Sequence, residues 1–206
     1  MAGPAIAELL LGEQSPSGRL PITWPLAVGQ IPIYYNHKNT GRPANDKDFV
    51  AINDIPVQAW QSSLGNDSHY LDLGFRPAFP FGFGLTYSEF SYQKLQLSNQ
   101  QRLSAADSLE VSVLLKNIGD QQATEVVQLY IQDVVADVTR PVRELKGFQR
   151  VSLAAGEQRR VLFTITPEML KFHNQQMQYV IEPGRFNVWV GPDAASGLSG
   201  SFIYQE

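Results

Sequence analysis

Leu109-Glu110-Val111-Ser112-Val113-Leu114-Leu115-Lys116 is the stretch on which the fold turns. Leu109, Val111, Val113 and Leu115 fall on one face of an extended chain, and Glu110, Ser112 and Lys116 fall on the other. The same period of two continues outward. Asn117-Ile118-Gly119-Asp120 turns the chain, and Val127, Leu129 and Ile131 then alternate with Gln128, Tyr130 and Gln132. Phe148, Val151 and Leu153 follow a polar stretch, and Gly156-Glu157 marks the next turn. Val161, Phe163 and Ile165 alternate with Arg160, Leu162 and Thr164. Phe186, Val188 and Val190 lead into Gly191-Pro192, and a last strand is expected over residues 198–204.

Short alternating strands with turn signals at this spacing predict a mainly β domain. The expected form is an antiparallel β-sandwich of the immunoglobulin or fibronectin type III kind. The chain has no cysteine, so its core is held by apolar packing without disulfides. Residues 167–172, Pro-Glu-Met-Leu-Lys-Phe, interrupt the alternation and are expected as one helical turn between sheets.

Upstream of residue 90 the pattern differs. Ile6, Leu9 and Leu10 recur at i, i+3 and i+4, so residues 4–11 predict a short helix. Gly12 stands where a terminating glycine belongs. Such a helix is too short to be stable alone and needs a surface to lie against. Ser15-Pro16-Ser17-Gly18 is a turn cluster, and Leu20-Pro21-Ile22-Thr23-Trp24-Pro25 is an extended segment whose prolines suit an edge. Residues 26–78 carry no sustained period. A connection that long is functional or disordered in most compact domains. It is followed by Pro80-Phe81-Gly82-Phe83-Gly84-Leu85-Thr86-Tyr87, where rings and glycines alternate along an expected extended segment. That octapeptide is read as the hinge between what precedes it and the sandwich.

Charge and composition narrow the function. The 206 residues are 43% hydrophobic and 17% charged, as in a globular protein, with a net charge of −4. That balance argues against nucleic-acid and anionic-membrane partners, which require a basic face. No apolar run is long enough to span a bilayer, and Met1-Ala2-Gly3-Pro4 has the form of no signal peptide. His37, His69 and His173 share no metal-ligand spacing. There is no Gly-x-Ser-x-Gly elbow and no phosphate loop. Asp46, Asp48 and Asp54 offer carboxylates for calcium but lack a glycine-centred loop, so a solvated loop is expected there. No metal and no cofactor are expected. Asn66-Asp67-Ser68 fits a glycosylation tripeptide in a secretory host.

The long connection carries one binding inventory. Tyr34, Tyr35, Asn36, His37 and Arg42 supply aromatic faces for the C–H side of a sugar ring, and planar polar groups for its hydroxyls. The same aromatics would equally pin the connection to a neighbouring domain. Trp189 points away from Phe186, Val188 and Val190, and is expected to serve as interdomain packing or as a sugar platform. Arg159-Arg160 is expected on a solvated face.

Several strings, taken in order, resemble the C-terminal part of family 3 glycoside hydrolases, with bacterial periplasmic β-glucosidases as nearest kin. They are Gly12, the decapeptide Pro-Ser-Gly-Arg-Leu-Pro-Ile-Thr-Trp-Pro at 16–25, Gly-Gln-Ile-Pro-Ile-Tyr-Tyr-Asn at 29–36, and residues 80–87. Glu-Val-Val-Gln-Leu-Tyr at 125–130, Arg-Pro-Val-Arg-Glu-Leu-Lys-Gly-Phe at 140–148 and Pro-Gly-Arg-Phe at 183–186 are similar to that family's fibronectin type III-like domain. The resemblance implies the tail of an α/β sandwich domain at 1–25, a linker with its hinge at 26–88 and the β-sandwich at 89–206. It implies partners in the same polypeptide, an N-terminal (β/α)8-type barrel and the rest of the α/β sandwich, and a possible homodimer. The parent would be a periplasmic or secreted retaining β-glucosidase acting on β-glucoside oligosaccharides, or alternatively a β-xylosidase. In the family the nucleophilic aspartate and the acid/base glutamate lie upstream of these motifs. No position here inherits a catalytic role, and Glu8 becomes a helix-surface residue. The chain by itself is expected to be a non-catalytic structural module, with a carbohydrate-binding module as the alternative, and Tyr34, Tyr35, Asn36, His37 and Arg42 as its substrate-binding candidates.

Overall fold

The computed structural model describes residues 2–45, 50–59, 69–70 and 72–206. Asp46, Asp48, Trp60 and the tripeptide Asn66-Asp67-Ser68 lie outside the described residues.

Two sheets face each other. The first is β1 (Phe90–Leu97), β3 (Leu109–Asn117) and β6 (Gln158–Ile165), in the order β1-β3-β6. The second contains β2 (Arg102–Ser104), β4 (Ala123–Asp133), β5 (Glu144–Leu153), β9 (Gly184–Gly191) and β10 (Leu198–Gln205), in the order β2-β10-β9-β4-β5. All the pairings are antiparallel except that of β2 with β10. A two-residue ladder, β7 (Phe172–His173) with β8 (Tyr179–Val180), follows a 3-10 turn at Pro167–Leu170, where the sequence predicts one helical turn.

The inward set is the one the alternation names. Leu109, Val111, Val113 and Leu115 meet Val127, Leu129, Ile131, Val161, Phe163, Ile165, Phe186, Val188 and Val190 in one buried cluster. Burying each such side chain is worth about 1.5–3 kcal/mol, and with no disulfide this packing carries the domain. Phe186 and Phe202 stack at its centre, 5.3 Å between centroids. Phe148 departs from the inward grouping with Val151 and Leu153. It lies an odd number of residues from both, hence on the opposite face, and is 63% exposed.

β4 breaks the simple alternation in a second way. Its outward residues Gln128 and Tyr130 are as buried as its inward ones, and Glu125, in phase with Val127 at the end of the inward row, is a buried carboxylate. The N-terminal segment covers them. Residues around Leu20 and Trp24 bond to residues around Phe79 and Phe83: Leu20 N–H to Phe83 O at 2.8 Å, Gly82 N–H to Leu20 O at 2.9 Å, and Trp24 N–H to Phe79 O at 2.9 Å. This ladder lies on β4 and is fixed by Arg19, which reaches both carboxylate oxygens of Glu125 at 2.9 Å. Tyr92 of β1 donates to the same carboxylate at 3.1 Å, and its burial pushes its phenol far above the ordinary range.

The octapeptide at 80–87 is not the extended segment its alternation suggests. Gly82 has φ +82°, and Phe83 N–H bonds Pro80 O at 3.2 Å, which makes residues 80–83 a type II turn. A Cβ on Gly82 would lie 2.2 Å from Gln128 Oε1. The turn aims its rings in different directions: Phe81 packs on Tyr35, and Phe83 lies 4.9 Å from Phe79.

α1 (Ala2–Leu10) begins and ends close to the predicted bounds of 4 and 11. Gly12 at φ +79° closes it. Gly12 N–H bonds Leu9 O at 3.2 Å and Glu13 N–H bonds Glu8 O at 2.9 Å, the paired bonds of a Schellman end. The helix buries none of its residues, and Ile6, Leu9 and Leu10 are exposed. Tyr87 OH ties it to the sandwich by donating to Leu9 O at 2.7 Å.

Candidate functional site

A cleft of about 330 Å³ opens where the long connection crosses the outer face of the five-stranded sheet. Its floor is the pair Tyr35 and Phe81, stacked at 4.2 Å and 17°, with the edge of Tyr130 6.0 Å from Tyr35. Each ring is held from behind. Tyr130 OH donates to Gln128 Oε1, and Gln128 Nε2 donates to the carbonyls of Gly82 and Pro192. Burial, reinforced by Tyr35 and Asp193, raises the Tyr130 phenol, so it stays a neutral donor. Leu145 N–H donates to the Tyr35 hydroxyl at 3.4 Å.

One wall is Arg143 with Ala194 and Ala195. The Arg143 guanidinium lies 4.4 Å over the Trp189 ring and donates to Ala194 O. Burial pulls Arg143 below its ordinary value, against the opposing pull of Asp193. Asp193 shapes the same wall by accepting from the N–H groups of Ala195 and Ser196, each at 2.8 Å. Ala194 N–H bonds Phe81 O at 2.9 Å, which joins the wall to the floor. The other wall is Phe75, Arg76 and Pro77, with the Arg76 guanidinium 5.4 Å from the Phe75 centroid. Tyr34 and His37 form the rim. The rim segment is tied to the sandwich by Val142 N–H to His37 O at 2.9 Å and by the Lys38–Pro141 bridge.

Of the five candidates read from sequence, Tyr34, Tyr35 and His37 share this cleft. Tyr34 is 64% exposed and available at its mouth, whereas Tyr35 spends its ring on Phe81. Asn36 and Arg42 are exposed and do not line the cleft. Phe75, Arg76 and Arg143 were not singled out, although Arg143 stands in the Arg-Pro-Val-Arg string at 140–143. Its signal was that string, but only the fold sets it opposite Trp189. Trp189 therefore has a partner inside the chain, the Arg143 guanidinium.

The cleft presents aromatic faces and planar polar groups. Among the described residues that line it there is no carboxylate. Retaining hydrolysis needs two, about 5–5.5 Å apart. The buried carboxylates of the described chain are Glu125 and Asp133. They stand eight residues apart on the single strand β4, a separation of about 27 Å at the rise of a strand. Glu125 is paired with Arg19. Asp133 has Arg140 near it, and Arg140 is in turn paired with Glu144 at 2.9 Å.

Residues 1–87 match the glycosyl hydrolase family 3 C-terminal domain, and residues 125–194 match the fibronectin type III-like domain. The periplasmic β-glucosidase of Salmonella typhimurium is 42% identical over 97% of this chain and 24% of its own length. A putative β-xylosidase of Formosa agariphila is 39% identical over 95% of this chain and 23% of its own. Among solved structures, the β-glucosidase from Listeria innocua in complex with glucose superposes with a TM-score of 0.86 at 40% identity, covering all of this chain and 26% of that one. The chain thus spans about a quarter of the length of the curated relatives it matches.

Proposed function

The chain belongs to glycoside hydrolase family 3, as a C-terminal part that includes the fibronectin type III-like domain, and from that premise we propose that it braces the catalytic domains of a retaining β-glucosidase. In this reading residues 1–25 complete an α/β sandwich, residues 26–88 link it to the β-sandwich, and residues 89–206 are the brace. The barrel and the rest of the α/β sandwich supply nucleophile and acid/base, and the substrate is a short β-glucoside from which a terminal glucosyl unit is released. The naming of the Salmonella relative supports a periplasmic setting.

One observation carries the reading. The N-terminal segment is locked to the sandwich through the Arg19–Glu125 pair and the buried face of β4, while α1 exposes its whole apolar stripe. A segment held so firmly on one side and left so bare on the other is built to join two bodies. The cleft that Tyr34, Tyr35 and His37 share faces the connection and contributes binding groups, not reacting ones. The test is turnover of 4-nitrophenyl β-D-glucoside by the purified 206-residue chain and by the same chain joined to the preceding domains of its gene. Hydrolysis only by the joined protein is the expected result, and turnover by the chain alone at a comparable rate would refute the assignment.

A second reading, sugar binding by the chain alone, is supported by the exposed Tyr34 ring beside Arg76 and His37. It predicts saturable quenching of tyrosine fluorescence by cellobiose, lost in Tyr34→Ala. The Formosa relative makes a β-xylosidase the alternative parent activity. The ratio of rates on 4-nitrophenyl β-D-xyloside and β-D-glucoside decides between the two.

A further inference from the structure

A second concavity, of about 500 Å³, lies on the three-stranded sheet where β1 meets β10, away from the cleft on the five-stranded sheet. Leu95 and Leu97 of β1, with Gly200 of β10, form an aliphatic floor. Gln96, Gln101, Glu110 and Arg160 stand around it. The guanidinium of Arg160 is fixed, donating to Ser112 Oγ at 2.8 Å and to Gln96 Oε1 at 3.3 Å. Ser112 is only 2% exposed although it points outward from β3, because these side chains cover it.

The backbone around this groove is strained in an unusual way. Among the described residues six non-glycine positions have positive φ, and four of them are here: Lys94 at 53°, Asn99 at 52°, Gln100 at 51° and Gln101 at 64°. Single left-handed residues are ordinary in turns, but three in succession without a glycine are not. Strain of this kind persists where the surroundings hold it, and it gathers at binding sites. The surroundings do hold it. Gln101 N–H bonds Ser98 O at 2.9 Å, Asn99 Nδ2 donates to Ser108 O at 2.9 Å, and Ser98 Oγ accepts from Glu110 N–H at 2.9 Å. Gln101 lines the groove, and Lys94 sits within the break of the β1–β3 register between Gln93 and Gln96.

We propose that this groove is a second binding site, for a neutral oligosaccharide, in which Gln96, Gln101, Glu110 and Arg160 bond hydroxyls above the Leu95–Leu97 floor. One cation, one anion and two amides suit a ligand that is polar on its edges and carries no net charge. An extended peptide fits less well. Strand addition needs a continuous free edge, and the bulge at Lys94 and the left-handed turn interrupt that of β1. The site has no aromatic platform, so its affinity is weak. It stands independently of the activity proposed above, because it requires nothing of the cleft.

The test is a ¹H–¹⁵N NMR titration of the chain with cellobiose and with cellotetraose. The expected result is saturable shifts of the Gln96 and Gln101 side-chain amides and of Arg160 Nε–H. Arg160→Met keeps the apolar stem, and Gln101→Asn keeps a residue that tolerates the left-handed region while shortening its reach. Each should weaken binding about tenfold, with the rest of the spectrum unchanged. Shifts confined to Tyr34, His37 and Arg143, no saturation up to the solubility of the sugar, or equal shifts with an uncharged extended peptide would each overturn the proposal.

Discussion

Gly82 has a left-handed backbone, and the space beside it is taken by Gln128, which is itself committed to Gly82 O, Pro192 O and Tyr130. Gly82→Ala therefore meets a conformational penalty and a clash together, and urea unfolding should show a loss of at least about 2 kcal/mol. Arg19 and Glu125 present the opposite case, in which the cost lies in breaking a pair. Their side chains are 10% and 4% exposed. Arg19→Met leaves a buried carboxylate whose remaining partner among the described residues is Tyr92, and should cost about 3–5 kcal/mol. Arg19→Met with Glu125→Gln removes both charges and should recover most of that loss in the same unfolding experiment. Asp133 gives a pH dependence. Burial raises its carboxyl to about 6, against the opposing effect of Arg140. The folded state therefore binds a proton more readily than the unfolded chain. Its contribution is fully present below the unfolded value near 4, and is lost as pH rises to the folded value. Subtracting the pH–stability curve of Asp133→Asn from that of the parent should isolate a fall between about pH 4 and pH 6, at most about 3 kcal/mol in size. A flat difference curve would mean that Asp133 titrates in the fold as it does in the unfolded chain.

β4 (Ala123–Asp133) is the element on which the two halves of the chain depend. Its inner face was legible, because Val127, Leu129 and Ile131 recur at every second position. Its outer face was not. Gln128 and Tyr130 read as the solvated side of the alternation, and nothing local marks them as covered. What covers them arrives from Tyr35, which meets Tyr130, and from Phe81 and Gly82 beside Gln128, between 46 and 95 residues away along the chain. Phe81→Ala should therefore act on both halves. It removes the ring under Tyr35 and part of the cover over β4, and should lower stability by about 2 kcal/mol. Hydrogen exchange provides the check, with protection expected to fall in residues 34–38 as well as in β4. The cleft was half legible for the same reason. Tyr34, Tyr35 and His37 are neighbours in sequence, whereas Arg143 and Arg76 join them only through the crossing of the connection over the sheet.

The whole molecule presents an uneven surface. Leu10 and Val28 are 78% and 83% exposed, and Leu11, Ile22, Trp24, Leu26 and Leu85 are exposed with them. Apolar exposure on this scale marks an interaction face. In the proposed parent it lies against the preceding domains. The isolated chain should accordingly bind a hydrophobic dye such as ANS, and the chain joined to those domains should bind far less. Leu10→Gln with Leu11→Gln should reduce dye binding by the isolated chain and leave its thermal midpoint within about 2 °C, because neither residue is buried in it. A large fall in the midpoint would place α1 in the core and defeat the joining role.

The sequence by itself determined the β-sandwich, the helix stopped at Gly12, the loss of disulfides as a stabilising device and the family. Each of these rests on a local period, on the properties of one residue type, or on the order of short strings. Tertiary structure alone decided that the 80–87 octapeptide turns, that the polar side of β4 is buried, that Trp189 is capped by Arg143, and that Gln101, at the end of a run of left-handed residues, lines a groove. Those outcomes depend on which distant side chain arrives to satisfy a buried polar group or a ring face. A one-dimensional pattern records the demand for such a partner but not its supplier.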